Sequence, residues 1–355
     1  MATPPAKGLQ QPARSVALNP DPLPAGLLPP RPAQPAISCV VPAFNEADNL
    51  GPLLQALLPV LESLSPRWEV IVVDDGSADA TPLAMLPWLR RPGVRYLRLS
   101  RNFGKEAALT AGIDHAEGGV VVLLDADLQH PPAMIVAMLD AWRQGADMVC
   151  TARSSRQDES WRKQLGSRLF YGLVNASLTT KIPVDAGDFR LMDRQVVDAL
   201  KRLPERNRFM KGLYAWVGFN TVVLPYMPAP RHAGRSTFSL RRLSRLAFTG
   251  ITAFTNLPLR LWSALGGFTA LTALAFALWI VVEDFLIGHP VPGWATLVAG
   301  LAFSVGMQLL SIGILGEYIG RIFDEVKQRP IYLVRDTLGV GAIRPPAAAP
   351  LPAHG

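Results

Sequence analysis

Cysteine is nearly absent from the chain, since Cys39 and Cys150 are the only two among 355 residues. A disulfide scaffold is therefore excluded. Both cysteines lie in apolar runs, so we expect buried, inert thiols. Charged residues are also scarce: Asp, Glu, Lys and Arg make up 18% of the chain, against about 25% in ordinary soluble domains. The remaining charges are unevenly spread, which excludes both a fully disordered chain and one that lies wholly in a membrane.

Two common nucleotide-binding signatures are missing. Neither the G-x-x-x-x-G-K-[ST] loop nor the G-x-G-x-x-G turn occurs anywhere in the sequence. The first cradles phosphates in nucleotide triphosphatases, and the second binds the pyrophosphate in dinucleotide-dependent dehydrogenases. Both of those enzyme classes therefore lose their main support.

The amino-terminal segment, residues 1–36, contains ten of the 32 prolines. Such a composition buries too little apolar surface to offset the entropy of ordering, so we expect residues 1–36 to be disordered. The segment also lacks the run of about 7–15 apolar residues that a secretion signal needs. The tail, residues 345–355, has a similar composition.

From residue 37 onward, short apolar runs alternate with amphipathic helical patterns. The runs cover residues 37–41, 70–73, 94–99, 120–124 and 147–150, and the helical patterns cover residues 50–64, 107–115 and 131–142. This alternation predicts an α/β domain with a mostly parallel sheet and helices on both faces. Ligands bind such sheets outside the carboxyl ends of the strands. The polar clusters at residues 42–46, 74–77 and 125–129 fall at those ends.

Two long segments without Asp, Glu, Lys or Arg follow, at residues 261–282 and 294–316. As helices each would measure roughly 33 Å, enough for a hydrocarbon core of about 30 Å. We therefore expect two transmembrane helices. Their flanks are basic and their connector is acidic, so the positive-inside rule places the α/β domain and both termini in the cytoplasm of a multi-pass inner-membrane protein.

The segment before these spans carries five arginines within fifteen residues and no acid: Arg231, Arg235, Arg241, Arg242 and Arg245. Leu240, Leu243 and Leu246 recur every three residues among them. This pattern favours a short amphipathic helix on an anionic bilayer surface. A solvated basic face is the alternative.

The sharpest motif is Asp125-Ala126-Asp127-Leu128-Gln129, directly after an apolar run. Two carboxylates at this spacing can share one divalent cation with a diphosphate, because Mg²⁺ or Mn²⁺ prefers oxygen ligands and keeps positions open for phosphate. The cation would neutralise charge on a departing nucleoside diphosphate. The alternative is a solvated turn or a helix cap.

Three further polar clusters face the same expected cleft. In Asp74-Asp75-Gly76-Ser77, one carboxylate is expected to accept hydrogen bonds from a ribose or base, or else Ser77 or Asp79 caps a helix. In Pro42-Ala43-Phe44-Asn45-Glu46, Phe44 and Glu46 are expected to face the cleft. The alternative is that Asn45 or Asp48 only caps the next helix. Arg101-Asn102-Phe103-Gly104-Lys105 opens a helix that can hold a phosphate.

Taken together, these motifs resemble the family 2 glycosyltransferases with a GT-A fold, and within them the polyprenyl-phosphate glycosyltransferases. The resemblance covers about residues 37–335. The matching segments are Val40-Val41-Pro42-x-x-Asn45-Glu46, Val73-Asp74-Asp75-Gly76-Ser77, residues 100–105, 125–129, Gly187-Asp188-Phe189-Arg190-Leu191-Met192 and residues 315–321. It implies a GT-A domain over residues 37–230, an acceptor loop with interfacial helices over 231–260, two spans over 261–317 and a cytoplasmic segment over 318–355.

The resemblance also implies roles for individual residues. The nucleotide-sugar would be bound by Pro42, Phe44, Glu46, Val73, Asp75, Asp125, Ala126 and Arg231. Asp125, Asp127 and Gln129 would hold Mg²⁺ or Mn²⁺, and Arg153, Lys163 and Ser167 would bind the acceptor phosphate. Asp127, Arg153 and Asp188 are the implied catalytic residues. The family commonly has lysine where this chain has Thr237, which leaves Arg235 or Arg241 for one phosphate contact.

The expected reaction moves a sugar, most simply from UDP-glucose, to a polyprenyl phosphate with inversion. A phosphate monoester has a second pKa near 6, so the acceptor oxygen is already ionised and needs no general base. Asp188 is then either a base or, as we favour, an arginine partner. GDP-mannose, UDP-galactose and a UDP-aminoarabinose derivative are alternative donors.

A processive polysaccharide synthase and a catalytically silent membrane-binding protein are alternative functions; the first would need a Gln-x-x-Arg-Trp motif, which is absent. The expected partners are the bilayer, a homo-oligomeric copy and a flippase or transferase acting downstream. No nucleic-acid partner is expected.

Overall fold

The computed structural model describes residues 16–17, 30–153, 186–206, 208–226, 257–287, 293–341 and 343. The chain divides into two compact units. The first comprises Met1–Tyr171, Thr179–Thr237 and Pro330–Gly355, and the second comprises Gly172–Leu178 and Phe238–Arg329.

The strands described in the first unit form a single sheet. They are β1 (Val16–Ala17), β2 (Ile37–Ala43), β3 (Trp68–Asp74), β4 (Val94–Leu99), β5 (Val120–Leu123), β6 (Met148–Arg153), β7 (Ala186–Asp193), β8 (Thr221–Tyr226) and β9 (Val334–Gly339). Their order across the sheet is β1-β8-β6-β7-β5-β2-β3-β4-β9. Strands β2, β3, β4, β5, β6 and β8 run one way, whereas β1, β7 and β9 run the other. The expected mixed α/β, GT-A-like architecture with a mostly parallel sheet is thus confirmed.

Helices connect the strands of this unit. They are α1 (Ala47–Leu64), α2 (Thr81–Met85), α3 (Lys105–His115), α4 (Met134–Arg143), α5 (Arg194–Arg202) and α6 (Met210–Trp216), with a 3₁₀ turn at Trp88–Arg90. Apolar residues of α1 recur at helical spacing, and Leu50, Leu54 and Leu57 among them are fully buried. Every residue of β2 and β3 is buried as well, as expected for parallel strands covered on both faces. The predicted βαβ units are therefore present.

The antiparallel strand β7 was not predicted. It lies between β5 and β6, pairing antiparallel with both. Its sequence alternates Asp188 and Arg190 with Phe189 and Leu191, so it lacks the continuous apolar run that marked the other central strands. Phe189 and Leu191 are fully buried in the core, whereas Asp188 retains a partly exposed side chain.

The segment expected to be disordered makes several described contacts with the sheet unit. Val16–Ala17 pair antiparallel with β8. The Arg31 guanidinium forms an ion pair with Asp147 at 2.7 Å, donates to the carbonyls of Trp142 and Ala146, and lies over the Trp142 ring. Arginine can therefore fasten this proline-rich stretch without an apolar core of its own.

The second unit contains two long helices, α7 (Leu257–Ile287) and α8 (Trp294–Val326). Trp262 Nε1 of α7 donates a hydrogen bond to Ser311 Oγ of α8. The two predicted spans lie within these helices. Among the described residues, one stretch, Phe303–Val326 of α8, is long and apolar enough to cross a membrane. The span expected at residues 261–282, within α7, stays a prediction.

Candidate active site

The carboxyl ends of three neighbouring parallel strands meet at one edge of the sheet. Strands β2 and β3 pair so that Ala43 lies opposite Asp74, and β5 pairs with the other side of β2. The three polar clusters that the sequence marked, at residues 42–46, 74–77 and 125–129, directly follow or overlap these strand ends. The structure therefore brings them to the crevice where α/β sheets bind ligands.

The predicted nucleotide-pocket residues differ in how they reach this crevice. Pro42 and Val73 are buried register partners inside the sheet, so their side chains contribute shape rather than polar contacts. Ala126 is buried as well. In contrast, the Phe44 ring is 44% exposed, and Glu46 is half-buried.

Asn45 fastens the loop after β2 to the loop after β3. Its backbone N–H donates to Ser77 Oγ at 2.9 Å, and its side-chain oxygen accepts from the N–H of Ala78 at 3.0 Å. Asn45 has a φ of 56°, a left-handed conformation that asparagine tolerates. The idea that Asn45 or Asp48 caps α1 is wrong, because Glu46 holds the N-cap position and makes no side-chain cap.

Asp74 and Asp79 have structural roles beside these loops. Asp74 is fully buried; it accepts from the N–H of Ser77 at 2.8 Å and from the hydroxyl of Tyr96. Asp79 accepts from the N–H of Thr81, the first residue of α2, at 2.9 Å, but Ala80 holds the N-cap position and makes no side-chain cap, so the idea that Ser77 or Asp79 is the N-cap of α2 is wrong. Burial raises the pKa of Asp79, but its hydrogen bonds from Thr81 and Ala47 outweigh that and lower it.

Asp75 organises the loop that leads into α3. Its Oδ1 accepts from the N–H of Phe103 at 2.7 Å, and its Oδ2 accepts from the N–H of Gly104 at 2.8 Å. Burial raises the pKa of Asp75, although these two N–H groups act in the opposite direction. Gly76 permits the approach of the two loops: its φ is 70°, and a Cβ there would lie 2.5 Å from the carbonyl carbon of Arg101.

Lys105, the first residue of α3, bridges two carboxylates at this edge. Its Nζ lies 2.7 Å from Asp125 Oδ1 and 2.7 Å from Asp188 Oδ2. Among the described residues, the ion-pair partner of Asp188 is Lys105 and not the arginine that sequence analysis expected. Sequence analysis placed Lys105 in a phosphate-holding loop but did not foresee this bridge.

The surroundings of Asp188 favour its ionised form. Burial by itself raises its pKa, but Lys105 and Lys211, with a further effect of Arg190, bring that pKa well below its usual range. Arg190 in turn lies over the Tyr214 ring, 3.5 Å from the ring centroid, and donates to the Gly187 carbonyl at 3.0 Å. The role of Asp188, as a base or as a structural ion-pair partner, stays a prediction from the sequence.

Glu106 connects the start of α3 to the start of α6. Its Oε2 accepts from the backbone N–H of Met210 at 3.3 Å. Burial, aided by the negative charge of Asp188, raises the pKa of Glu106 to about 7, against the opposing effects of Lys105 and Lys211. Sequence analysis did not single out Glu106, because a glutamate in the first turn of a helix is ordinary.

The turn after β5, residues 125–130, is stabilised by a hydrogen bond within it and by the packing of its last residue. Asp127 Oδ1 accepts from the backbone N–H of Gln129 at 3.1 Å, and Leu128 has a φ of 60°. The His130 ring packs between Phe189 and Tyr226, with centroid separations of 5.1 and 4.9 Å. His130 is buried, so it anchors the turn that carries both aspartates.

The carboxylates of this turn do not form a complete protein cage for a metal. Among the residues described, no group of three or more His, Cys, Asp and Glu side chains converges where it could hold an ion. Asp125, Asp127 and the amide of Gln129 instead offer a few oxygen donors at a partly exposed position. That donor set fits Mg²⁺ or Mn²⁺, which binds through one or two carboxylates together with substrate phosphates.

The predicted acceptor-phosphate residues fall largely beyond the described part of the chain. Arg153 is the last residue of β6. Lys163, Ser167, Arg231 and Thr237 lie outside the described residues, as do Arg235, Arg241, Arg242 and Arg245. Their roles therefore remain predictions from the sequence.

Both cysteines are free and buried, as expected. Burial raises the pKa of each thiol, so both are poor nucleophiles.

Comparison with known proteins identifies similar sequences over most of the chain. The family described as Glycosyl transferase family 2 matches residues 38–201. The SfII prophage-derived bactoprenol glucosyl transferase of Shigella flexneri is 43% identical over 301 residues, 84% of this chain and 97% of that protein. An uncharacterized glycosyltransferase of Synechocystis is 45% identical over 86% of this chain and 96% of its own length.

Among solved structures, glucosyl-3-phosphoglycerate synthase from Mycobacterium tuberculosis matches with a TM-score of 0.45 and 20% identity. The match covers 62% of this chain and 80% of that one, and a similarity of this size says nothing about the site.

Proposed function

Because the chain belongs to glycosyl transferase family 2, we propose that it transfers a sugar from a nucleotide-sugar donor to a polyprenyl phosphate. The observation that carries the proposal is Asp125 and Asp127, which follow β5 at the crevice edge of the sheet beside the start of α3. The name of the Shigella flexneri relative, bactoprenol glucosyl transferase, supports the polyprenyl acceptor and favours glucose as the sugar.

The donor's nucleotide is assigned to the ends of β2 and β3. Phe44 offers an exposed ring for the base, and Glu46 lies near it after the same strand. Asp75 holds the loop at residues 101–105 in place, with both carboxylate oxygens engaged there. Its contribution to the nucleotide site is therefore to fix this loop, because the carboxylate itself is buried.

The diphosphate is assigned to the turn after β5. Asp125, Asp127 and Gln129 would hold Mg²⁺ or Mn²⁺ there, and that ion would supply charge neutralisation for the leaving nucleoside diphosphate. Lys105 adds a positive charge at the same edge. Asp188 remains ionised in this field and keeps Lys105 in position.

The acceptor phosphate is assigned to the cations that the family resemblance marks: Arg153, Lys163 and Arg231, with the hydroxyl of Ser167. An already ionised phosphate oxygen attacks the anomeric carbon, and the bond to the donor diphosphate breaks on the opposite face, with inversion. These residues have to hold two anions close enough to react, which is a matter of positioning and charge compensation. No proton needs to be removed from the nucleophile.

The reaction is proposed to occur at the cytoplasmic face of the inner membrane. Two spans, within α7 and α8, would anchor the chain there, and the arginine-rich segment would lie on the anionic surface. The lipid-linked sugar would then pass to a flippase or to another transferase.

The proposal is tested by incubating membranes that contain the full chain with undecaprenyl phosphate and radiolabelled UDP-glucose, GDP-mannose, UDP-galactose or a UDP-aminoarabinose derivative. Mn²⁺ is supplied in one series and EDTA in a second. We expect label in the lipid phase, greatest with UDP-glucose and only when Mn²⁺ is present. Failure of every donor to label the lipid contradicts the proposal and favours a silent binding protein, whereas label in a long polymer favours a processive synthase.

A further inference from the structure

Two negatively charged side chains, Asp125 and Asp188, lie just beyond the paired residues of β5 and β7. The register of β5 and β7 ends at the pair Leu123 and Arg190, and Asp125 and Asp188 lie two residues beyond it on their respective segments. Two carboxylates that share one cation partner repel each other when that cation is removed. The Lys105 ammonium is the shared cation here, 2.7 Å from each of the two carboxylates.

The position of Lys105 is set by the backbone rather than by a flexible approach from the surface. The loop before it is fixed by Asp75, whose oxygens accept from the N–H groups of Phe103 and Gly104. Gly104 takes a φ of 102°, a conformation that side-chain-bearing residues rarely adopt, and Lys105 then opens α3. The side chain is still 43% exposed, so it is able to swing away from Asp125 without unfolding its helix.

Asp125 is also one of the two carboxylates assigned above to the divalent ion. The same oxygen cannot make a close ion pair with an ammonium group and coordinate a metal at full strength, because the two cations repel each other. From this overlap we infer that Lys105 is a positioning residue that competes with the divalent ion for Asp125. The inference rests on the proposed function only in taking Asp125 as a metal ligand.

This competition affects whether the metal ion binds alone or together with the donor diphosphate. A metal ion arriving alone has to displace Lys105 and leave it beside a second positive charge. A metal ion arriving with a diphosphate brings negative charge that the displaced ammonium can neutralise. Lys105 therefore makes metal binding weak without the donor and couples the two binding events, and such coupling is reciprocal.

The test measures Mn²⁺ binding to the detergent-purified full chain, with no nucleotide, from the loss of the free Mn²⁺ signal in electron paramagnetic resonance. Lys105→Met removes the competing charge, and we expect it to tighten Mn²⁺ binding by at least about fivefold. Lys105→Arg keeps the charge, and we expect its Mn²⁺ affinity to stay within about twofold of the unaltered protein. Lys105→Gln replaces Lys105→Met if the methionine variant fails a thermal-unfolding check.

Two controls locate the effect. Lys201→Met removes one lysine charge from α5, where Lys201 donates to the Asp114 carbonyl, and it should leave Mn²⁺ affinity unchanged. Asp125→Asn should remove the gain when combined with Lys105→Met. Unchanged or weaker Mn²⁺ binding in Lys105→Met, or an equal gain in Lys201→Met, overturns the inference. Because the measurement involves no sugar and no lipid, it is independent of the labelling experiment that tests the proposed function.

Discussion

Asp75 Oδ2 accepts a hydrogen bond of 2.8 Å from the backbone N–H of Gly104, which joins the end of β3 to the start of α3. The second oxygen of the same carboxylate accepts from the N–H of Phe103 at 2.7 Å. One side chain thus satisfies two successive backbone donors of a loop that carries Lys105 to the crevice. The contact links a residue of the donor pocket to the charge that balances Asp125 and Asp188.

Asp75→Ala is expected to destabilise the protein and to impair transfer together. Removing a buried carboxylate that accepts two N–H groups leaves both donors without their acceptor, at a cost of about 3 kcal/mol in the free energy of unfolding. Thermal unfolding and sugar transfer are measured on the same preparation. Asp140→Asn is the matched control: its carboxylate is 52% exposed and forms a surface ion pair with Arg143 three residues on, so it should cost less than about 0.5 kcal/mol. An Asp75→Ala protein as stable as that control contradicts the assignment.

Asp127→Asn is expected to abolish transfer while the fold persists. Asparagine keeps a side-chain oxygen that can accept from the N–H of Gln129, so the turn loses little. It loses the charge that a divalent ion requires, and transfer should fall at least about a hundredfold. Asp198→Asn removes a comparable carboxylate from α5, far along the chain, and should retain activity. Full activity in Asp127→Asn, measured with Mn²⁺ and a labelled donor, would contradict its role as a metal ligand.

Most of the parallel strands could be predicted because their sequences are rich in apolar and β-branched residues, whereas β8, which is also parallel, was not predicted. The run at residues 94–99 coincides with β4, and the run at 120–124 exceeds β5 by one residue. Strand β7 escaped prediction because Asp188 and Arg190 interrupt its pattern, and these are the residues that bring charge to the site. The edge strand β9 escaped because it pairs with β4 from far along the chain, a contact that local pattern does not report.

Some residues of the candidate site could likewise be predicted from the sequence and others could not. Sequence motifs located Asp75, Asp125 and Asp127 at strand ends, since strand ends and acidic pairs are local features. The bridge from Lys105 to Asp188 spans 83 positions in sequence and depends on the β5–β7 register, so it became visible only in three dimensions. The hydrogen bonds that engage Asp75 belong to the same class of long-range contact.

The two-span topology predicts that both ends of the hairpin formed by α7 and α8 lie on the cytoplasmic side. Basic residues flank the pair, with Arg260 before the first uncharged segment and Lys327 and Arg329 after the second, while the connector carries Glu283 and Asp284. A fluorescent reporter fused after Gly355 should therefore fluoresce in the cytoplasm. Alkaline phosphatase inserted after His289 should be active outside. A reporter after Gly355 found outside would contradict two spans and fit a single crossing by α8.

Glu106 makes the stability of the protein fall as pH rises, whereas a carboxylate with a lowered pKa makes stability rise with pH. Its pKa is raised to about 7 by burial and by Asp188, so between the ordinary glutamate pKa and about 7 the folded state holds a proton that the unfolded state has released. Stability from this group is full at low pH and is lost as pH rises toward neutrality. Glu106→Gln mimics the protonated form at every pH. The free energy of unfolding of the variant minus that of the unaltered protein should therefore increase by about 2 kcal/mol between pH 5 and pH 7.5. Lys105, Lys211 and Asp188 face Glu106 in both proteins, so their direct effects largely cancel in the comparison. Unfolding curves of both proteins at a series of pH values measure this difference in free energy. A difference that stays constant or shrinks as pH rises would contradict the prediction. It would show that Glu106 is already ionised in the folded protein and that a charged carboxylate accepts the hydrogen bond from Met210.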